Sequence, residues 1–587
     1  MTDVSIVRRP IPQQQPALSD DLHPILMRIY RARQISRAEE LDNSLNRCLS
    51  PALLSGIDAA VALLMKAIDQ QQRILIVGDF DADGATSSAL AVRALKKLGA
   101  ASVDFLVPNR FEFGYGLTPE IVTVASDYSP DLIITVDNGI SSIDGVAAAK
   151  NRGMQVLVTD HHLPGTVLPT ADAIVNPNQP GDRFPSKAMA GVGVIFYVML
   201  ALRSALRDTD WFTRRGIDEP NLAELLDLVA LGTVADVVPL DHNNRILVAQ
   251  GLARMRNDRC CAGIRALCQV AGRQQQRLQA ADLGFALGPR LNAAGRIEDM
   301  SLGIECLLTD DPDKALALAQ RLDQLNRERR SIEEEMKAQA QDALLQLHLD
   351  EEARLPVGLC LFEESWHQGV IGILASRLKD QLHRPVIVFA DAGQVDDSGE
   401  PLIKGSARSV AKLHIRDALD AVAAHHPGLV SKFGGHAMAA GLTLQRRQFV
   451  IFADAFNKEV MRSLGHDDLF NTLYSDGELA PEDIGLELAE LLRGAGPWGQ
   501  GFPEPLFDGE FELLQRRIVG EHHLKLLLRV PGTETAIDAI AFRTTDADWP
   551  ADVRRVSLVY KLDVNDYRGV RNVQLMVEHI QPVSGAA

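Results

Sequence analysis

Short runs of Ile, Leu and Val alternate with helix-like segments between residues 60 and 240. The clearest runs are Arg73–Val77, Asp131–Val136 and Gln155–Thr159, and each follows a segment with helical spacing. This alternation is typical of βαβ units, whose parallel strands are buried on both faces of a sheet. The pattern therefore predicts an α/β fold built on a parallel-sheet core.

Beyond residue 310 the pattern changes twice. Apolar residues three, four or seven apart predict one long amphipathic helix, with apolar positions at Leu318, Leu322, Leu325, Ile332, Met336, Ala340, Ala343 and Leu347. Its opposite face carries arginines that the pattern places in solvent: Arg321, Arg327, Arg329 and Arg330.

Two further domains are predicted after the helix. Strand-like stretches at Pro356–Phe362 and Pro385–Phe389 predict a second α/β lobe. Short alternating stretches after about 470 predict a small β-barrel.

These changes divide the chain into five predicted segments. Residues 1–50 are rich in Pro and Gln before they become amphipathic, and we expect this N-terminal extension to lean on the first domain. Residues 51–310 form the predicted core, 311–350 the connecting helix, 351–465 the second lobe and 466–587 the barrel.

Charge and cysteine usage limit the partners and the cellular compartment that the sequence allows. The 587 residues include 60 Lys and Arg against 78 Asp and Glu, a net charge of −18, so a polyanionic partner must meet a local basic surface. The six cysteines form no CxxC pair, which favours a reducing compartment, and we predict a cytoplasmic protein. The longest apolar run, Ala188–Leu202, is shorter than the roughly 18 residues of a membrane span, so we expect a buried helix and no membrane partner.

Acidic residues and histidines collect at the ends of the predicted strands. The first run leads into GDFDADG, the second ends in VDNG and the third ends in TDHH. Parallel strands present their carboxyl ends at one edge of a sheet, where ligands bind in open α/β folds. The residues brought to this edge are Asp79, Asp81, Asp83, Asp137, Asp160, His161 and His162, and Asp236 follows an apolar helix that could add one more ligand.

So many carboxylates at one place repel one another unless cations neutralise them. Carboxylate oxygens with one or two imidazoles suit Mn²⁺ or Mg²⁺, and the absence of nearby thiolates disfavours structural zinc. A calcium loop beginning at Asp79 would need Glu at its twelfth position, which is Leu90. The segment also has neither a GxGxxG pattern nor a P-loop lysine, so a nucleotide-binding loop is disfavoured.

These motifs resemble those of the DHH phosphoesterase superfamily, through DFDADG, VDNG, the DHH triplet Asp160–His162 and the ADV around Asp236. Within it, PNRFEFGYGL, GPRLNAAGR, SWHQGVIGILASRL, GSARS and GGHAMAAGL resemble the bacterial RecJ exonuclease family, from about residue 60 to 570. The resemblance implies a DHH core, a DHHA1-like second lobe and an OB-type barrel. One departure is Phe502, which stands where the family pattern has Asn.

The resemblance also implies roles for the motif residues. Asp137 would bridge two divalent cations, Asp81 would help hold the first, and Asp83, His161 and Asp236 would hold the second. Asp79 would be an extra ligand or an acid behind the ligands. Asp160 would orient its neighbouring imidazole, and His162 would lie beside the scissile phosphate.

Substrate-binding residues are expected elsewhere in the family motifs. Arginines suit phosphate because the guanidinium forms a planar, bidentate fork, and Tyr115 could stack on a base. The expected set is Arg110, Tyr115, Asn292, Arg296, Arg377, Ser406, Arg408 and His436.

By resemblance, the expected activity is a two-metal, single-stranded-DNA-specific exonuclease that works from 5′ to 3′, releases 5′-mononucleotides, and serves DNA repair and recombination. The expected partners are single-stranded DNA with a free 5′ end, a helicase and a single-strand-binding protein, with the enzyme acting as a monomer. Two alternatives stay open: a phosphodiesterase for short oligonucleotides or cyclic dinucleotides, and a non-catalytic single-strand-binding scaffold. The scaffold alternative predicts lost metal ligands, whereas every expected position here carries Asp or His.

Overall fold

The computed structural model describes most of the chain in two compact units. The described residues are 4–12, 18, 21–108, 116–348, 355–396, 398–435, 437–465, 471–520, 523–530, 532–542, 544–545, 549, 553–567 and 569–583. The larger unit comprises Val7–Asp323 and Tyr474–Ala587, and the smaller unit comprises Met1–Ile6 and Gln324–Leu473.

The larger unit contains the parallel sheet that the apolar runs predict. Strand β1 (Val4–Arg8) contains a division between the units, after Ile6. The larger unit continues with α1 (Pro24–Ala32), α2 (Ile57–Asp69), β2 (Arg73–Val77), α3 (Ala82–Lys97), β3 (Ser102–Leu106), α4 (Pro119–Ala125), β4 (Leu132–Val136), α5 (Ile143–Asn151), β5 (Gln155–Thr159) and β6 (Ala173–Val175). The strand order is β3-β2-β4-β5-β6, and neighbouring strands are parallel throughout.

Helices cover both faces of this sheet, which explains why its strands are apolar along their length. Alternate strand residues such as Leu75, Ile133 and Val156 pack with Ile121 of α4 and Val146 of α5 in one buried cluster. On the other face lie α3 and a helix formed by much of the long apolar run, α6 (Gly191–Asp208). Because both faces exclude water, the carboxyl edge of the sheet is where its polar residues emerge.

Further helices complete this part of the larger unit. They are α7 (Trp211–Arg215), α8 (Leu226–Ala235), α9 (His242–Arg256), α10 (Ala262–Val270), α11 (Ala280–Asp282), α12 (Gly288–Ile297) and α13 (Ser301–Leu308), with a π-helical turn at Leu283–Leu287 before α12. Among the described residues, no single helix is long and apolar enough to cross a membrane, and only the bent pair Leu45–Leu53 and Ile57–Asp69 passes that test together.

The long helix α14 (Pro312–His348) contains the division between the units, which falls after Asp323. The smaller unit continues with β7 (Leu359–Phe362), α15 (Ile371–Leu382), β8 (Val386–Val395), β9 (Pro401–Arg408), α16 (Ile415–His425), β10 (Lys432–Gly435), β11 (Ala439–Gln445) and α17 (Phe449–Ser463). Its sheet has the order β10-β11-β9-β8-β7, in which only the β7–β8 pair is parallel.

The barrel belongs to the larger unit. Strand β12 (Asn471–Ser475) pairs with β1, and α18 (Leu486–Gly494) precedes β13 (Phe507–Val519), β14 (His523–Arg529), β15 (Ala536–Ala541), β16 (Arg555–Tyr567) and β17 (Val570–Pro582). These five strands close in the order β13-β14-β15-β17-β16, with β15 and β17 parallel. A closed five-stranded barrel of this kind is an OB-type fold, so the predicted fold class is confirmed.

Candidate metal centre

Three adjacent strands place acidic residues at one edge of the parallel sheet. Asp79 lies two residues beyond β2, Asp137 directly follows β4 and Asp160 directly follows β5, and all three side chains are buried. Asp137 has a φ of 62°, a backbone conformation that Asp adopts more readily than most residues.

The DFDADG segment forms the start of α3. The Asp81 carboxylate caps the helix by accepting the Gly84 N–H at 3.0 Å. Asp83, two residues further in the first turn of α3 and fully buried, accepts the N–H groups of Gly191 and Val192 at 2.6 and 2.9 Å. Those donors are the first residues of α6, so a helix N-terminus holds this carboxylate in place.

His161 lies at the centre of the carboxylates. Its Nε2 is 3.0 Å from Asp137 Oδ1, 3.5 Å from Asp236 Oδ2 and 3.9 Å from Asp83 Oδ2. Asp236 reaches this point from the C-terminal end of α8. Among the described residues, His161 Nε2 and Asp236 Oδ2 are buried atoms with no partner that meets hydrogen-bond geometry. A buried cluster of this kind needs a cation to satisfy its atoms.

Asp160 is engaged differently from the other acids. Its Oδ1 accepts the backbone N–H of His161 at 2.7 Å and that of His162 at 3.1 Å, and it contacts His162 Nδ1 at 2.8 Å. Its Oδ2 accepts the Ile140 N–H at 2.9 Å. Asp160 therefore fixes the turn that carries both histidines and holds the His162 ring. The orienting role in catalysis that the resemblance implies for it stays a prediction.

The pKa values separate these two kinds of carboxylate. Burial, reinforced by neighbouring acidic groups, raises the pKa values of Asp83 and Asp236 to about 7, and burial and the charge of Asp83 raise the pKa of Asp137 well above its usual range. Burial also opposes ionisation of Asp160, yet the hydrogen bond from His162 holds its pKa below the usual value. Without cations, ionising Asp83, Asp137 and Asp236 together is unfavourable.

The two imidazoles are shifted in opposite directions. Burial and the charge of His162 lower the pKa of His161, which favours the neutral form that binds metals. Burial would also lower the pKa of His162, but its hydrogen bond to Asp160 outweighs that effect and the pKa rises to about 9. The two rings lie 4.4 Å apart between centroids.

Three overlapping groups of side chains have the geometry of a cation site. Within each group the potential ligand atoms lie within 4.8 Å of one another: Asp79, Asp81 and Asp137; Asp83, His161 and Asp236; and Asp137, His161 and His162. Carboxylate oxygens and a neutral imidazole nitrogen are ligands that suit Mn²⁺ or Mg²⁺. Asp137 belongs to two groups, which fits a residue shared between two cations.

Helix α12 packs against the loop that carries Asp79, Asp81 and Asp83. Asn292 Oδ1 accepts the Ala82 N–H at 2.7 Å, so this residue holds the loop between Asp81 and Asp83. A Cβ at Gly295 would lie 1.8 Å from the Phe80 carbonyl oxygen, which shows how closely the helix packs on the same loop. Arg296 follows Asn292 by one turn and is half-buried. Asn292 thus has a positioning contact that the sequence motif did not reveal.

Among the described residues, the smaller unit contains three of the expected substrate-binding residues. On β9, Arg408 Nη1 donates to Ser406 Oγ at 3.1 Å, and a Cβ at Gly372 in the first turn of α15 would lie 2.9 Å from both side chains. Ser406 and Arg408 therefore meet at a helix N-terminus, an arrangement that suits a phosphate. Arg377 is half exposed and its Nε donates to Glu333 at 2.9 Å.

Three predicted substrate-binding residues lie outside the described residues: Arg110, Tyr115 and His436. Conversely, the structure shows two contacts that the sequence did not predict. The Gly191 N–H holds Asp83, and the Ile140 N–H holds Asp160. The one available signal for Gly191 was a glycine at the start of an apolar helical run, which sequence alone does not connect to Asp83.

Known proteins share this architecture. Sequence profiles match three segments: the DHH family N-terminal domain at residues 73–233, the DHHA1 domain at 355–462 and the RecJ OB domain at 475–579. The fold and the acidic site thus define a protein of the DHH class. The five-segment division of the chain stays a prediction.

Full-length relatives narrow the class. The chain is 54% identical to the single-stranded-DNA-specific exonuclease RecJ of Dickeya dadantii over 98% of this chain and 99% of that protein. It is 53% identical to the RecJ of Escherichia coli, covering 96% and 97%. The crystal structure of RecJ in complex with Mn²⁺ from Thermus thermophilus matches with a TM-score of 0.79 at 30% identity, covering 99% of this chain and 80% of that one. The chain belongs to the RecJ family.

Proposed function

We propose that this chain is a metal-dependent exonuclease specific for single-stranded DNA, which degrades the strand from 5′ to 3′, releases 5′-mononucleotides and acts in DNA repair and recombination. The observation that carries the proposal is the convergence of Asp137, Asp83 and Asp236 on His161 Nε2, all within 3.9 Å. The relatives named as single-stranded-DNA-specific exonucleases support the substrate, and the 5′ to 3′ direction comes from family resemblance.

Two divalent cations, Mn²⁺ or Mg²⁺, fit the cluster. Asp79, Asp81 and Asp137 would hold one cation and Asp83, His161 and Asp236 the other, and Asp137, which lies 3.0 Å from His161 Nε2, would be shared between them. When bound, the cations supply a hydroxide at neutral pH and positive charge for the attacking and leaving oxygens of the phosphodiester. RecJ from Thermus thermophilus has been crystallised in complex with Mn²⁺ and with Mg²⁺.

We assign His162 to the phosphate, with Asp160 acting through it. His162 also belongs to the potential cation group with Asp137 and His161, but its raised pKa favours the protonated ring, which is not a metal ligand. Asp160 fixes His162 Nδ1 at 2.8 Å, so the ring acts on the scissile phosphate through Nε2. The hydrogen bond to Asp160 raises the pKa of His162 to about 9, which keeps a proton available for a phosphate oxygen at neutral pH. His162 thus stabilises charge or supplies a proton to the leaving oxygen.

The remaining residues bind the strand. Ser406 and Arg408 offer a hydroxyl and a guanidinium beside the first turn of α15, which suits the 5′ phosphate. Arg296 and Arg377 contact the backbone of the strand, Asn292 supports the metal loop beside it, and Arg110, Tyr115 and His436 complete the set. The barrel binds further nucleotides, as OB folds do.

The proposed compartment and partner proteins follow from a DNA substrate. All six cysteines are free thiols, which fits the reducing cytoplasm where the DNA lies. We include in the proposal a monomeric enzyme that works with a helicase and a single-strand-binding protein, since a helicase would expose the single strand that the nuclease digests.

A digestion assay tests the proposal. Single strands labelled at either end, and the matching duplex, are incubated with wild type and with Asp137→Asn, in Mn²⁺, in Mg²⁺ or in chelator. Wild type should release labelled mononucleotide first from the 5′ end, only from single strands and only with metal. Asp137→Asn should fold normally and lose nearly all turnover.

Asp127→Asn is the matched control because Asp127 is an exposed acid of the same unit, remote from the metal groups. It should retain wild-type turnover. Metal-independent digestion, or full activity of Asp137→Asn, would refute the proposed site. Hydrolysis of cyclic dinucleotides without digestion of long strands would favour the alternative phosphodiesterase.

A further inference from the structure

The N-terminal segment before α2 contacts both the core and the chain just before the barrel. This segment precedes the DHH profile match, which starts at residue 73. The sequence predicts that it leans on the first domain. It does contact that domain, but α1 also bonds to residues 476–503, which lead into the barrel. Both partners belong to the larger unit.

The central contact is a buried ion pair. Arg33, at the C-terminal end of α1, donates from Nη1 and Nη2 to the two oxygens of Asp476 at 2.7 and 3.0 Å, with side chains 1% and 0% exposed. Arg33 Nε also donates to the Pro503 carbonyl at 2.8 Å. Asp476 in turn accepts the Leu506 N–H at 3.1 Å, directly before β13 begins. One arginine therefore holds both ends of the segment that precedes the barrel.

Aromatic rings surround this pair. Trp498 and Phe502 stack with centroids 5.1 Å apart, and the Tyr30 ring of α1 stacks on both. The Tyr30 hydroxyl donates to the Ala495 carbonyl at 2.8 Å, and the Arg33 guanidinium lies over the Trp498 ring. Phe502, the departure from the family pattern, is buried within this stack.

The same turn contacts the chain that leaves the metal centre. Leu240, four residues after Asp236, donates its N–H to the Gln500 carbonyl at 2.7 Å. The Arg245 guanidinium lies 4.4 Å from the centroid of the Phe502 ring and also donates to the Glu40 carbonyl. A continuous set of contacts thus runs from the Asp236 segment through the turn and α1 to Asp476 and the first barrel strand, and its central ion pair is buried.

We propose that Tyr30, Arg33, Trp498, Phe502 and Asp476, here called the N-terminal clasp, hold the barrel in the orientation that lets it deliver a long single strand to the metal centre. Arg33 is a positioning residue for the exonuclease reaction. The inference rests on the proposed function. It adds to that function two residues that lie outside the three family profiles, Tyr30 and Arg33, which hold three residues inside the OB profile.

A fixed barrel raises the effective concentration of the bound strand at the metal centre. A strand bound by the barrel gains affinity for the metal centre only if the two sites keep a fixed spacing, because a mobile barrel offers the strand in many unproductive positions. A substrate too short to reach the barrel gains nothing from the clasp. Weakening the clasp therefore raises KM for long strands and leaves cleavage of short ones unchanged.

The test uses the full-length chain with Mn²⁺ and two substrates, a 5′-phosphorylated trinucleotide and a single strand of about 40 nucleotides, longer than one OB-fold site. Arg33→Ala should raise KM for the long strand about tenfold, with kcat within about twofold, and should change neither constant for the trinucleotide by more than about twofold. Tyr30→Phe removes only the hydroxyl bond to Ala495, so it should show the same split with a smaller rise in KM.

Arg47→Ala is the matched control, since Arg47 lies on the same segment but pairs only with Asp42 among the described residues. It should behave as wild type on both substrates. An unchanged KM for the long strand, or an equal loss on both substrates, in Arg33→Ala would overturn the proposal. If Arg33→Ala does not fold, Tyr30→Phe decides by the same criteria. Failure of wild type to digest either substrate would instead refute the proposed function.

Discussion

At the scale of the residue, two buried aspartates at this site have pKa values shifted in opposite directions. Asp160 and Asp137 are both about 1% exposed, yet the pKa of Asp160 is lowered and that of Asp137 is raised. Burial opposes ionisation in both cases. Asp160 is compensated by three backbone N–H groups and His162, whereas Asp137 faces Asp83 and other acids. The surroundings of Asp160 therefore favour its anion, whereas a bound cation would favour the anion of Asp137.

This difference predicts the behaviour of Asp160→Asn. The amide keeps an accepting oxygen but loses the charge that holds His162 in its protonated form, so turnover should fall about 10- to 100-fold, the range typical of residues that orient active-site groups. The loss of one accepting oxygen should also cost about 1–3 kcal/mol in the free energy of unfolding.

Steady-state turnover with Mn²⁺ and urea denaturation measure the two effects. Metal affinity, measured by titration of Mn²⁺, should change less than turnover, because Asp160 lies outside the second metal group formed by Asp83, His161 and Asp236. Wild-type turnover of Asp160→Asn would show that Asp160 has no part in the reaction.

At the scale of the element, the N-terminus of α6 fixes two ligands at once. The Gly191 N–H donates to Asp83 at 2.6 Å, and a Cβ at Gly191 would lie 2.7 Å from Asp137 Cβ. No side chain fits between the helix and Asp137. The apolar run that forms α6 is therefore part of the site, although its sequence shows only a buried helix.

Gly191→Ala should consequently displace Asp137 or the helix terminus. We expect destabilisation of about 1–3 kcal/mol, typical of overpacking in a closely packed interior, and loss of most metal-dependent turnover. Gly494→Ala is the control, because a Cβ at Gly494 at the end of α18 meets no atom within 4 Å. Equal behaviour of the two variants in thermal unfolding and digestion would contradict this account.

The long helix shows the limit of periodicity as a guide. The sequence places Arg329 on a solvated face, but its side chain is buried and donates to Glu333 at 3.0 Å and to Asn326. Glu333 also accepts from Arg377 of α15. The polar face of a helix can be covered by another element, here by Arg377 of α15. The predicted solvent exposure of Arg329 was wrong for that reason.

At the scale of the whole molecule, cations should control stability as well as activity. Asp83 and Asp236 have pKa values of about 7 in the folded chain, above their unfolded values, so ionising them opposes folding. Their contribution to stability is present at low pH and is lost as the pH rises through about 7. Bound cations neutralise the ionised carboxylates and remove this loss.

The rise in melting temperature caused by one fixed concentration of Mn²⁺ should therefore be larger at pH 8 than at pH 6, because the carboxylates bind the cation more tightly once they have lost their protons. Where that concentration is a hundredfold excess over Kd, the stabilisation is about 2.7 kcal/mol. Differential scanning fluorimetry with Mn²⁺ or chelator measures it, and Asp137→Asn should reduce the shift at both pH values. A shift that is equal at both pH values, or that persists in the variant, would contradict the assignment.

The sequence by itself determined the class of fold, the strands β2, β4 and β5 and the acids at their ends, because apolar runs and parallel connections fix which residues reach the carboxyl edge of a sheet. It also determined the family, since many spaced motifs occur in order. Only the tertiary structure decided how each acid is held: the α6 terminus on Asp83, Ile140 on Asp160 and Asn292 beneath the metal loop. These contacts join residues far apart in the chain through backbone groups, which every residue except proline carries alike, so no sequence pattern marks them.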